Sequence, residues 1–115
     1  MSRVWTYGQD SGYMSRQSLV GFTVEAADGG IGHVDRQQDQ PGMQHLVVDT
    51  GVWKFGRSVL IPAGAVIAID TQAQTVKVTP SREEIKAAPR FTIDSETADR
   101  DYLSAVGDYY LSLGH

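Results

Sequence analysis

Through the middle of the chain, apolar and polar residues alternate with a period of two. Val20, Phe22 and Val24 alternate with Gly21, Thr23 and Glu25, the pattern of a strand with one buried face. Asp28-Gly29-Gly30 follows, a hairpin-turn signal because glycine tolerates positive φ. Ile31 and Val34 stand three apart, so a regular strand cannot point both inward. A bulge or kink at Gly32 would reconcile them. After a second turn at Gln40-Pro41-Gly42, His45 to Asp49 holds the unbroken run Leu46-Val47-Val48, which predicts a strand buried on more than one side. A turn centred between Gln40 and Pro41 would set His33 opposite Val48 and His45 opposite Arg36.

Thr50 to Gly56 reads as a loop and Arg57 to Ile61 as a strand closed by Pro62, which cannot donate to a ladder. Ile67 to Asp70 is the next strand, Thr71 to Gln74 a polar turn, and Val76 and Val78 alternate with Thr75, Lys77 and Thr79. Short strands joined by tight turns, with no crossover helix, predict an antiparallel barrel or small sandwich. Its expected core is Val20, Phe22, Val24, Val34, Leu46, Val48, Leu60, Ile61, Ile69, Val76 and Val78.

The period then changes. Ser81-Arg82-Glu83-Glu84 has capping-box spacing and opens a short helix ending before Pro89. Tyr102, Leu103, Val106, Tyr109, Tyr110 and Leu113 recur at three- and four-residue spacing, which predicts an amphipathic helix from about Thr97 to Leu113. Gly107 in its middle weakens that helix by about 1 kcal/mol relative to alanine, so a docking surface is expected. Residues 1–18, with Trp5, Tyr7 and Tyr13, form an irregular arm or a disordered tail. The organisation is then an arm (1–18), a β-domain (19–93) and an acidic helical tail (94–115).

At 115 residues, 41% hydrophobic and 21% charged, the chain suits one domain. It contains no cysteine, which excludes disulfides and thiolate zinc sites and fits a reducing interior. The start is polar without an apolar h-region, and the longest apolar stretch, Ala63 to Ile69, is too short to cross a bilayer. A cytoplasmic protein without a membrane span is expected. Its net charge of −4 is concentrated at the end, where Asp94, Glu96, Asp99, Asp101 and Asp108 face Arg100 alone. Without clustered cations to neutralise phosphates, direct nucleic-acid binding is not expected.

Read in order, Leu19-Val20-Gly21-Phe22-Thr23-Val24, Asp28-Gly29-Gly30-Ile31-Gly32-His33-Val34, His45-Leu46-Val47-Val48-Asp49-Thr50-Gly51, Arg57-Ser58-Val59-Leu60-Ile61-Pro62 and Val66-Ile67-Ala68-Ile69-Asp70 resemble the PRC-barrel family, named for the cytoplasmic barrel of the photosynthetic reaction-centre H subunit. The likeness runs from residue 18 to about 90. The tail resembles that of stand-alone bacterial members, which lack the subunit's transmembrane anchor, so no photosynthetic role is implied. In another branch the barrel is joined to a ribosome maturation factor and docks on a ribosomal protein; its companion domain has no counterpart in this sequence. The resemblance implies a mainly β fold, a small antiparallel barrel with a C-terminal helical extension, acting as an interaction or assembly module.

Catalytic chemistry has few candidates. Asp35, Asp49 and Asp70 each end a strand, where a carboxylate ordinarily caps a turn. His33 and His45 lack a third ligand at fixed spacing, and no serine has the setting of an activated nucleophile. Neither cofactor nor metal is expected. The candidate docking residues are Trp53, Lys54, Phe55 and Arg57 in the loop, where aromatics alternate with cations, and Tyr102, Val106, Tyr109 and Tyr110 on the helix. These apolar groups are expected to close on one another within the chain or across a homodimer. The partner is expected to be a protein. The rival is a small-ligand-binding or enzymatic barrel with a pocket near Asp35, Asp49 and Trp53.

Overall fold

The computed structural model describes residues 4–8, 11–13, 18–39, 43–51, 58–88 and 100–113. Six strands occur among them: β1 Thr23–Ala26, β2 Gly29–Gln38, β3 His45–Asp49, β4 Ser58–Pro62, β5 Val66–Asp70 and β6 Thr75–Val78. Two helices follow, α1 Arg82–Lys86 and α2 Arg100–Ser112. The fold is mainly β, with one sheet of order β4-β3-β2-β1-β6-β5.

The sheet is mixed rather than wholly antiparallel. β1 and β6 pair in parallel, while every other neighbouring pair is antiparallel. The reason lies between β4 and β5, where a single 3-10 turn, Ala63–Ala65, carries the chain onward without reversing it. Those strands are opposite edges of the sheet. Five strand spacings would hold them about 24 Å apart in a flat sheet, yet a link this short spans at most about 14 Å. The sheet must therefore curl until its edges approach at that end, though they are not hydrogen-bonded neighbours.

Three bulges assist the curl. They leave Ile31, Asp35 and Ile67 as the extra residues in the β1–β2, β2–β3 and β5–β6 ladders. The first falls at Ile31, one residue before the Gly32 where a bulge or kink is expected, and both Ile31 and Val34 lie in the core. Gly32 has φ +153, and a Cβ there would lie 2.0 Å from the Asp49 carbonyl oxygen. No side chain fits at that crossing. The bulge at Asp35 also resets the hairpin, so that His33 pairs with Asp49 and His45 with Gln38, not with Val48 and Arg36.

Ten of the eleven expected core residues lie wholly or partly in the core, Ile69 only half-buried. Val20 does not, at 52% exposed. The Phe22 amide donates to the Leu19 carbonyl at 3.0 Å, and Gly21 has φ +90. Val20 therefore rides the crest of a tight turn, and β1 begins only at Thr23.

Beyond the sheet, Ser81 caps α1 as expected. Its hydroxyl accepts from the Glu84 amide at 3.1 Å, and the Glu84 carboxylate accepts from the Ser81 amide at 2.8 Å. Asp28, from the β1–β2 turn, accepts from the Arg82 amide at 2.8 Å and so anchors the hairpin to the helix start. Residues 97–99, the expected beginning of α2, lie outside the described residues.

Candidate interaction surface

Residues 4–8 and 11–13 of the arm are built into the body. Their backbone bonds to the sheet ends, with the Gln44 amide donating to the Trp5 carbonyl at 2.9 Å and the Gly64 amide to the Val4 carbonyl at 2.7 Å. Val4 and Tyr7 are buried, and Tyr7 stacks on Tyr13 with centroids 3.9 Å apart. Trp5 meets the His45 ring edge-on at 5.7 Å. On its other side lies α2, where a Cβ at Gly107 would approach Trp5 Nε1 to 3.0 Å. Gly107, which weakens the helix intrinsically, makes the recess that the indole fills.

His45 sits under this cover. Its Nδ1 lies 2.8 Å from the Met43 carbonyl oxygen. A carbonyl only accepts, so Nδ1 carries the proton. Burial holds the imidazole below its ordinary range, partly offset by that bond. The ring is a neutral packing element.

α2 packs against β4 and turns its aromatic stripe to the body. Val106 and Tyr110 are buried and Tyr102 and Tyr109 half-buried. The Tyr109 hydroxyl donates to the Glu84 carbonyl at 2.5 Å, tying α2 to α1. The Tyr110 hydroxyl is buried without a hydrogen-bond partner among the described residues, and desolvation raises its pKa and keeps it protonated. Tyr110 borders a recess of about 140 Å³, together with Val4, Ala65 and Pro80. Of the expected docking residues on the helix, Val106 and Tyr110 are thus internal. Trp53, Lys54, Phe55 and Arg57 lie outside the described residues.

The three strand-end acids do different local work. The Asp49 carboxylate accepts from the Gly51 amide at 2.8 Å. Asp70 accepts from the Gln72 and Ala73 amides at 3.0 and 2.9 Å, the turn-capping role described for such acids. Asp35 lies 3.4 Å from Arg36 and is exposed. Among the described residues no three His, Asp or Glu side chains gather as metal ligands, and no helix is long and apolar enough to cross a membrane.

Among the described residues, the arm and α2 leave the outward face of β1, β6 and β5 bare. On β1, β6 and β5 the residues pointing away from the core are Thr23, Glu25, Thr75, Lys77, Ala68 and Asp70, each exposed or half-buried. Glu25 and Lys77 stand side by side on the parallel pair. A shallow groove lies on either side of them, one toward Ala68 and Asp70 and the other toward Ala27 and Ile67. Ile67, thrown outward by its bulge, is 50% exposed. No sequence feature singled out this face, because its residues are those that period-two alternation assigns to solvent.

No protein-family model matches the chain, and no curated protein does. Among solved structures it is similar to RimM of Pseudomonas aeruginosa, a protein assigned to 16S ribosomal RNA processing, at 19% identity and a TM-score of 0.49. The match covers 61% of this chain and 47% of that one, so this chain spans about half the length of the protein it matches.

Proposed function

We propose that the protein is a non-enzymatic interaction or assembly module, a PRC-type barrel that binds another protein through the bare face of β1, β6 and β5. The observation that carries this reading is the asymmetry of cover. Among the described residues the arm and α2 cover the outward face of β3 and β4, whereas the outward face of β1, β6 and β5 stays open, grooved and of mixed charge. Such a face suits a protein surface, where paired charges fix register and small apolar residues admit close approach. The strand-end carboxylates support the non-catalytic reading, since two of the three hold backbone amides.

A photo-crosslinking residue in place of Ala68, compared with one in place of the exposed Asp108 on α2, tests the reading in living cells. Discrete protein adducts at Ala68, absent at Asp108, are expected. No adduct at Ala68, or the same adducts at both positions, would overturn it.

A further inference from the structure

The register of the bare face carries more than its composition. Two rows of outward residues cross it. One runs Ala68, Lys77, Glu25, Gly30 over β5, β6, β1 and β2, and the other runs Asp70, Thr75, Thr23, His33 over the same strands. Val24 and Val76, between the rows, point into the core. Each row reverses about the line between β6 and β1. The first reads small, cation, anion, small, and the second reads acid, threonine, threonine, imidazole.

We infer that this face pairs with the same face of a second copy of the chain, about a two-fold axis running along the strands between β1 and β6. Rotation about that axis keeps each row at its own height and exchanges its two sides. Lys77 then lies over the second copy's Glu25 and Glu25 over its Lys77. Thr75 meets Thr23, while the curl of the sheet carries Ala68, Asp70, Gly30 and His33 away from the centre of the contact. Sheets packed face to face lie about 10 Å apart, within reach of opposed Lys and Glu side chains. Because sheets twist, register holds best near the axis, where the two charges lie. Among the described residues no hydrogen bond or ion pair within the chain engages the side chain of Glu25 or Lys77. One cation and one anion side by side at the centre, in antisymmetric order, fit a copy of themselves better than a uniformly acidic or basic partner.

This inference names the occupant of the surface proposed above and rests on that proposal. Its test is the oligomeric state of the purified full chain, read by sedimentation velocity over a concentration series. A dimer is expected for the wild type. Lys77→Glu and Glu25→Lys should each weaken it by about tenfold or more, since either sets two like-charged pairs across the axis. Mixing those two variants should restore a heterodimer of near wild-type affinity, because both opposed pairs are then complementary. Both positions face solvent, so circular dichroism of the variants should be unchanged. A monomeric wild type, a dimer indifferent to both reversals, or variants that fail to reassociate on mixing would each overturn the two-fold pairing. If the free chain is monomeric while the Ala68 crosslinker captures a different protein, the pairing fails and the module reading stands; a monomer with no adduct ends both.

Discussion

The two halves of the sheet are built to different rules. In β3 and β4, His45, Leu46, Val47, Val48, Val59, Leu60, Ile61 and Pro62 are all buried, so neighbouring side chains are covered on both faces. In β1 and β6, Val24, Ala26, Val76 and Val78 are buried and their neighbours are not. An uninterrupted apolar run marks a strand between two layers, whereas alternation marks one with a single dry face. The first half acquires its second layer from the arm and α2. Among the described residues the outward face of β1, β6 and β5 receives none, although Gly12 of the arm lies against the Ile69 backbone. Stability therefore belongs mainly to the first half, and availability to the second.

The largest effect is expected where β2 crosses the end of β3. Gly32→Ala places a methyl against the Asp49 backbone at a φ that disfavours side chains, and should cost at least about 3 kcal/mol or abolish folding. Urea unfolding of the soluble fraction measures it. A milder pair of substitutions separates the halves directly. Leu60→Ala should cost about 2–5 kcal/mol, and Ile67→Ala less than about 1 kcal/mol at low protein concentration. Equal losses would mean that both faces of the sheet are equally covered, and the contrast would collapse.

Gly107→Ala sharpens the account of the cover. Alanine gains about 1 kcal/mol of helix propensity but drives its methyl into Trp5, which His45 supports from behind. A net loss of about 1 kcal/mol is expected. In a Trp5→Ala background the same substitution should become stabilising. The smallest effect concerns acid. Because the folded state holds His45 below its ordinary pKa of 6.5, the unfolded chain takes up a proton first as pH falls. The neutral ring's contribution is intact above about 6.5. It declines below that at no more than about 1.4 kcal/mol per pH unit, down to the folded-state pKa. Denaturation at pH 7.5 and 5.5 should show this extra loss in the wild type and not in His45→Gln.

Much of this division was legible in the residues. Leu46-Val47-Val48 announced a strand covered twice, the three-residue step from Ile31 to Val34 required its bulge, and the tyrosine stripe announced α2. Other features depend on contacts between distant segments. The parallel β1–β6 pair follows from a 3-10 turn that fails to reverse the chain, which alternation cannot reveal. The bulge at Asp35 moved the hairpin register because a polar bulge leaves no mark in the apolar pattern. Val20 fits a strand by pattern, yet the turn at Gly21 lifts it out. Of the two tryptophans, Trp53 drew notice for its loop and lies outside the described residues. Trp5, from the arm, fills the recess. The signal available for it was the unfavourable Gly107 in an aromatic helix.

Trp5 and Gly107 also set an order of events. They are about a hundred residues apart, and joining such distant segments carries a larger loop-closure penalty than zipping a hairpin. During synthesis Trp5 emerges well before the glycine notch that receives its indole, and the strands between them can pair in the meantime. The arm acts as a latch rather than a nucleus. Its loss, in Trp5→Ala, is expected to speed unfolding and leave the folding rate nearly unchanged, so the last contact made would govern how long the fold persists.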